Sequence, residues 1–162
     1  MNRIIENVVI EKTGAVFSTL FDASVSAGPA YPLELPDIKH WDISGVVGVT
    51  GDCFGMMAIR LNYDLASTLM ERSRIHLPGD PQGQRLMSDM IGEIINVISG
   101  NVLSELVADD FRLSIPVIIQ GDMHEISWPK KTAVTAFPFE ILSFNVEVQA
   151  GLSCGRFKER EA

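Results

Sequence analysis

Hydrophobic residues recur with helical spacing in three stretches of the chain. In the longest, from residue 84 to about 108, apolar side chains repeat every three or four positions. Residues 4–22 show the same spacing, although Thr13 and Gly14 weaken it, and residues 64–74 form a third, shorter segment of this kind. The pattern therefore predicts one helix near the start of the chain, a short second one, and a long helix in the middle.

The remaining hydrophobic runs are short and rich in β-branched residues, which is typical of strands. They lie at residues 43–50, 56–61, 112–120, 132–139 and 142–150. The first two flank a Gly- and Asp-containing loop and predict an antiparallel hairpin, and the last two predict another hairpin turning near Glu140-Ile141. Because the helices segregate from antiparallel hairpins rather than alternating strictly with single strands, the fold class is predicted to be α+β.

The other segments are interpreted as connections. Residues 24–42 contain Gly28 and three prolines, so they predict an extended connector. Residues 76–83 form a turn cluster, and residues 155–162 form a charged, frayed tail. With 162 residues, the chain is predicted to be one domain, 1–162, with its core in residues 43–150.

Charge and cysteine usage limit the function classes. Thirteen basic residues against 21 acidic ones give a net charge of −8, which disfavours a nucleic-acid partner. No uninterrupted apolar run reaches the roughly 18 residues of a membrane span, so no membrane insertion is expected. Glu6 and Glu11 interrupt any stretch that could serve as a signal peptide. Cys53 and Cys154 match no metal or redox spacing, so two free thiols in a reducing cytoplasm are expected.

Classical metal and phosphate motifs are not evident in the sequence. His40, His76 and His124 stand apart from one another and from carboxylates at ligand spacing, so no metal site is predicted. The glycines between residues 45 and 55 lack the Gly-Lys-Ser/Thr ending of a phosphate-binding loop and are interpreted as hairpin turns.

The long helix has a broad aliphatic side and a narrow polar stripe. At about 100° per residue, the stripe consists of Asp89, Glu93, Asn96, Gly100 and Ser104. A mid-helix glycine costs about 1 kcal/mol relative to alanine, and asparagine is a mediocre helix former. Two explanations stay open from this pattern alone. Gly100 either permits close packing beside a merely exposed Asn96, or the stripe has a function.

The stripe resembles a family signature. Met90-Ile-Gly-Glu93-Ile-Ile-Asn96-Val-Ile-Ser-Gly100-Asn101 is similar to the Glu-x-x-Asn-x-x-x-Gly motif of the CheC/CheX/FliY phosphatases of bacterial chemotaxis. The order of elements over residues 43–150 agrees with that family. CheC-like members carry a second motif, but the N-terminal helix has Gly14 where its asparagine would stand. The resemblance is therefore to CheX.

The resemblance implies a largely antiparallel sheet with two long helices on one face. It also implies hydrolysis of the aspartyl phosphate on a CheY-type response regulator receiver. Asn96 would orient the attacking water, Glu93 would pair with the receiver's lysine, and Gly100 would leave room for the receiver's loops. Asp89 and Ser104 extend the stripe as candidate partner contacts without an assigned role.

The same resemblance implies that the chain has no cofactor of its own, because the receiver supplies Mg²⁺. It also implies a homodimer, formed by pairing of edge strands. The alternative is a non-catalytic module that binds a receiver or self-associates. The presence of both Glu93 and Asn96 favours catalysis over that alternative.

Overall fold

The computed structural model describes residues 2–73, 82–107, 110–155 and 157. In this part of the chain there are three helices and eight strands. In chain order they are α1 (Arg3–Phe21), β1 (Val25–Ala27), β2 (Tyr31–Pro32), β3 (Ile43–Gly51), β4 (Cys53–Leu61), α2 (Tyr63–Arg72), α3 (Gln82–Val107), β5 (Phe111–Leu113), β6 (Val117–Gln120), β7 (Thr135–Ile141) and β8 (Phe144–Cys154).

The strands form one antiparallel sheet. Its order is β1-β7-β8-β4-β3-β5, with β2 also pairing with β7 and β6 also pairing with β3. The first predicted hairpin is β3–β4. The second is β7–β8, but its turn is Leu142-Ser143 rather than Glu140-Ile141. Both turn residues have positive φ, as the tight turn that matches strand twist requires.

All three helices pack on one face of this sheet, called here the helical face. α1 lies alongside α3, which crosses β3, β4, β5 and β6, and α2 packs against α3. Alternate strand residues such as Val47, Met57, Ile59 and Val148 are buried there against the isoleucines of α3. The prediction of an α+β fold with two long helices on one face of an antiparallel sheet is confirmed.

The ends of the elements differ modestly from those predicted. α1 begins at Arg3 because the side chain of Asn2 accepts a hydrogen bond from the Ile4 amide (2.9 Å). α3 begins at Gln82, within the predicted turn cluster, whose residues 76–81 lie outside the described part of the chain. Most of the predicted tail also lies outside it.

α3 is long and apolar enough to cross a membrane by length and composition, and within the described residues it is the one helix of that kind. Ile91, Ile94, Ile95 and Ile98 are nevertheless buried against the sheet. A long apolar helix with one side buried against a sheet is typical of the core helix of a folded domain.

The opposite face of the sheet carries a buried polar network. Ser44, Arg60 and Glu147 lie in one row across β3, β4 and β8. Arg60, 1% exposed, donates to Ser44 Oγ (3.1 Å), to Asp37 Oδ2 (2.7 Å) and to the His124 carbonyl oxygen (3.1 Å). Burial lowers the pKa of Arg60, and the neighbouring Asp37 and Glu147 carboxylates partly oppose that shift.

Glu147, also 1% exposed, is the second centre of this network. Tyr31 and Lys39 donate to its Oε2 (2.5 and 2.6 Å), and Gln149 donates to its Oε1 (2.7 Å). Burial acts to lower the pKa of Lys39, but its hydrogen bonds to Glu147 and Tyr31 prevail and raise it. Burial, together with the hydrogen bond to Glu147, raises the pKa of Tyr31. The connector predicted as merely extended is thus fastened to the sheet by these side chains.

The expectation of two free thiols was wrong. Cys53 and Cys154 form a disulfide, with their Cα atoms 4.0 Å apart. They are 101 residues apart in sequence, but the pairing of β4 with β8 places them directly opposite each other. The cysteine pattern therefore no longer argues for a reducing compartment.

Reduction of this disulfide is expected to lower the free energy of unfolding by about 2–4 kcal/mol, because the bond closes a long loop in the unfolded chain. Urea unfolding with and without dithiothreitol measures the difference. The Cys53→Ser/Cys154→Ser double variant is the control, since its stability should not respond to the reductant. Titration of two thiols in the untreated, denatured protein would contradict the disulfide.

Candidate functional site

The polar stripe of α3 faces away from the sheet. Asp89, Glu93 and Ser104 are exposed, and Asn96 and Gly100 are half-buried. Glu93 and Asn96 are one helical turn apart and lie on the same side of α3, because residues at i and i+3 are neighbours on a helix surface. The isoleucines on the opposite side of α3 are packed in the core and fix the rotation of the helix about its axis. That rotation determines the direction in which each residue of the stripe faces.

An open groove of about 450 Å³ runs between α3 and the segment that links β5 to β6. Asp89, Glu93 and Asn96 line its helical wall, together with Ser88 and Gly92. Gly100 and Ser104 do not line it; they continue the stripe beyond the groove. The structure therefore brings three of the five stripe residues together around one cavity.

The other wall of the groove is mainly apolar and belongs to residues 113–118, called here the lip. Leu113 pairs with Val49 of β3, and Val117 pairs with Val46. Three lip residues therefore stand opposite two residues of β3, which makes a β-bulge. The bulge breaks the single strand that had been predicted for residues 112–120.

Hydrogen bonds fix the bulge. Ser114 N donates to the Gly48 carbonyl oxygen (2.9 Å), and Gly48 N donates to Ser114 Oγ (2.8 Å). On the α3 side, a Cβ added at Gly92 would meet the Pro116 Cβ at 3.5 Å, so the lip lies close to the helix there. Ile115, between these two fixed points, is directed outward and is 87% exposed.

Sequence reasoning missed the lip entirely. The signal that could have revealed it is Pro116, because proline cannot donate to a strand ladder and is confined to edges and bulges. Its position in an otherwise apolar run argues for a break in the strand.

The groove combines negative charge, one amide and apolar surface. Asp89 and Glu93 are its ionisable lining residues, with no lysine or arginine among the described residues that line it. At one end Gln120 donates to Ser88 Oγ (2.5 Å), whereas no hydrogen bond among the described residues engages the side chains of Glu93 or Asn96. Two carboxylates attract a cation, and a free amide can both accept and donate a hydrogen bond.

The described residues contain no group of three or more His, Cys, Asp or Glu side chains placed to hold a metal ion. His124 is half-buried, with its ring nitrogens hydrogen-bonded to Ser44 Oγ (2.7 Å) and to the Gly121 carbonyl oxygen (2.6 Å). His40 is exposed beside Asp122, and His76 lies outside the described residues.

Gly100 is not required by the packing of the fold. A Cβ placed there would meet only Leu113 Cδ1, at 3.9 Å, which is ordinary contact. Of the two explanations for this glycine, close packing is therefore the weaker.

The Gly100→Ala variant is accordingly expected to raise the free energy of unfolding by about 0.5–1 kcal/mol, the cost of a glycine inside a helix. Urea unfolding monitored by circular dichroism measures the change. Gly14→Ala is the matched control, because Gly14 lies within α1 and an added Cβ would meet nothing within 4 Å there. A loss of stability at Gly100 alone would mean that the fold itself needs the glycine.

Comparison with solved structures shows first which known proteins share this fold. The fold is that of a CheC-like superfamily protein from Shewanella sp. PV-4, with a TM-score of 0.80 and 19% identity, covering 94% of this chain and 99% of that one. The chemotaxis protein CheX from Desulfovibrio desulfuricans is similar as well, with a TM-score of 0.75 and 28% identity over 93% of this chain and 98% of that one. No curated protein matches the sequence significantly.

The family follows from the sequence itself. Residues 43–140, more than half of the chain, match the family model described as "Chemotaxis phosphatase CheX". The chain therefore belongs to the CheX family. A further similar structure is the CheX–CheY–BeF₃–Mg²⁺ complex from Borrelia burgdorferi, with a TM-score of 0.75 and 18% identity over 90% of this chain and 96% of that one.

Proposed function

We propose that this protein is a phosphatase that hydrolyses the aspartyl phosphate of a CheY-type response regulator receiver. The observation that carries the proposal is the position of Glu93 and Asn96, on one side of α3 at an open groove. Membership in the CheX family supports it. The Borrelia burgdorferi complex adds support, because there a protein of this fold is bound to CheY together with beryllofluoride and Mg²⁺.

In this proposal Asn96 positions the attacking water. Phosphoryl transfer depends mainly on positioning and on electrostatic stabilisation. The Asn96 amide oxygen accepts a hydrogen bond from the water, and its NH₂ group donates one to a phosphoryl oxygen. Water then attacks phosphorus in line with the bond to the aspartate oxygen, which breaks to release inorganic phosphate and the free carboxylate. A side chain with negative charge at this position would repel the phosphoryl group.

Glu93 anchors the receiver. Its carboxylate would pair with the lysine beside the receiver's phosphorylated aspartate, and such a charge-assisted bond strengthens as the interface excludes water. Mg²⁺ belongs to the receiver in this scheme, and the phosphatase contributes no cofactor. Asp89 adds a second carboxylate to the groove, while Gly100 and Ser104 extend the contact surface beyond it.

The test is the decay of phosphate from purified phosphorylated receivers. A substoichiometric amount of the protein should accelerate decay with repeated turnover. The KM should rise with a receiver whose active-site lysine is replaced by alanine, because Glu93 then has no partner. Binding without acceleration would instead assign the non-catalytic receiver-binding module. If the protein neither binds any receiver of the source genome nor accelerates the decay of its phosphate, the proposal is refuted.

A further inference from the structure

The lip differs chemically from the helical wall that faces it. Leu113, Ile115, Pro116 and Ile118 contribute apolar surface to the groove, opposite the carboxylates of Asp89 and Glu93. Ile115 is 87% exposed, so an exposed apolar side chain stands beside an acidic stripe. A partner complementary to both walls presents a cation next to an apolar recess.

The lip is also prearranged. Two hydrogen bonds between Ser114 and Gly48 hold the backbone on one side of Ile115, and Pro116 lies close to α3 on the other side. An apolar side chain on a backbone held in this way spares the partner the cost of ordering the backbone on binding, which is the property of an interface anchor. Bulges often re-aim side chains next to active sites, and this bulge directs Ile115 away from the core.

We infer that the lip is the second half of the docking surface for the receiver, with Ile115 as its apolar anchor. This inference rests on the proposed function, because the receiver's lysine supplies the cation that Glu93 and Asp89 attract. In docking, α3 enters beside the phosphorylated aspartate, and Ile115 packs into an apolar recess of the same receiver face. The alternative occupant is a second copy of this chain pairing with β6, and the experiment separates the two.

The test compares two exposed isoleucines. Ile115→Ser removes the anchor, whereas Ile38→Ser alters an isoleucine that is 86% exposed in the connector over the opposite face. Both variants should keep the wild-type unfolding temperature, because neither side chain is in the core. We expect Ile115→Ser to raise KM for the phosphorylated receiver about tenfold, to raise Kd for the beryllofluoride-bound receiver equally, and to leave kcat unchanged. Ile38→Ser should change none of these values.

The outcomes are distinct. A wild-type protein that turns over receiver phosphate, with KM unaffected by Ile115→Ser, overturns the docking role and leaves the proposed function standing. A loss of self-association in sedimentation with KM unchanged also overturns it, and assigns the lip to a contact between copies. If the wild-type protein neither binds nor dephosphorylates any receiver, both proposals fail.

Discussion

Replacing Asn96 with alanine is expected to lower the rate of receiver dephosphorylation by roughly a hundredfold or more while leaving receiver affinity nearly unchanged. Asn96 is half-buried at the groove wall, and no neighbour among the described residues takes up its amide. Its removal therefore costs the fold little. What it removes is a water held in line with the phosphorus atom, an interaction made as the reaction proceeds rather than on docking.

The measurement is kcat and KM for phosphate release, with Kd for the beryllofluoride-bound receiver determined in parallel. Asn96→Asp is the sharper variant, because it is nearly isosteric but places a negative charge beside the phosphoryl group. It should be as inactive as alanine. Glu93→Ala should instead raise KM and Kd together. A parallel loss of affinity and rate in Asn96→Ala would mean that Asn96 only anchors the partner.

Asn101→Ala is the matched control. Asn101 is an exposed asparagine on α3, but it does not line the groove. A general effect of losing an asparagine from this helix would appear in both variants. An effect of position appears only at residue 96. A rate that falls in Asn96→Ala but not in Asn101→Ala therefore supports the water-orienting role.

The sequence was most informative where hydrophobic periodicity is long. The isoleucine repeat of α3 predicted both the helix and the side of it that carries Asp89, Glu93 and Asn96, because burial of one face determines the direction of the other. The β3–β4 hairpin was predictable for a different reason, because two β-rich runs flank a Gly- and Asp-containing loop. These local patterns are sufficient for the helices, the main hairpins and the helical wall of the groove.

Features that depend on contacts distant in sequence were missed. Cys53 and Cys154 become neighbours only through the register of β4 with β8, which cysteine spacing does not encode. The lip requires one extra residue opposite β3, and a run of β-branched residues gives no sign of such a bulge except Pro116. Arg60 lies in an apolar strand, where its burial depends on groups from the connector and from the segment around His124.

Arg60 leads to the second large expected effect. Replacing it with methionine should lower the free energy of unfolding by about 3–5 kcal/mol, the usual cost of removing one partner from a buried ion pair. The change leaves the Asp37 carboxylate without its cation, with a hydrogen bond from Gln149 (3.1 Å) as its remaining side-chain partner among the described residues. It also removes the donor to Ser44 Oγ and to the His124 carbonyl oxygen.

The reason for the loss can be tested separately from its size. In the Arg60→Met background, Asp37→Asn should restore part of the stability, because the unpaired buried charge is then absent. Lys12→Met is the control for ion pairs in general. The Lys12–Glu105 pair, 3.8 Å apart and partly exposed, should contribute less than about 1 kcal/mol. Urea unfolding of the wild type, Arg60→Met, Asp37→Asn and the double variant gives the coupling energy between Arg60 and Asp37.

Activity separates this network from the groove. Arg60 lies on the sheet face opposite α3, so kcat per folded molecule should be unchanged in Arg60→Met below its unfolding temperature. A lower kcat in fully folded protein would mean that the connector and the groove are coupled through the sheet. A stability loss below about 1 kcal/mol would mean that water reaches the network once the arginine is gone, because a solvated carboxylate has little need of a cation.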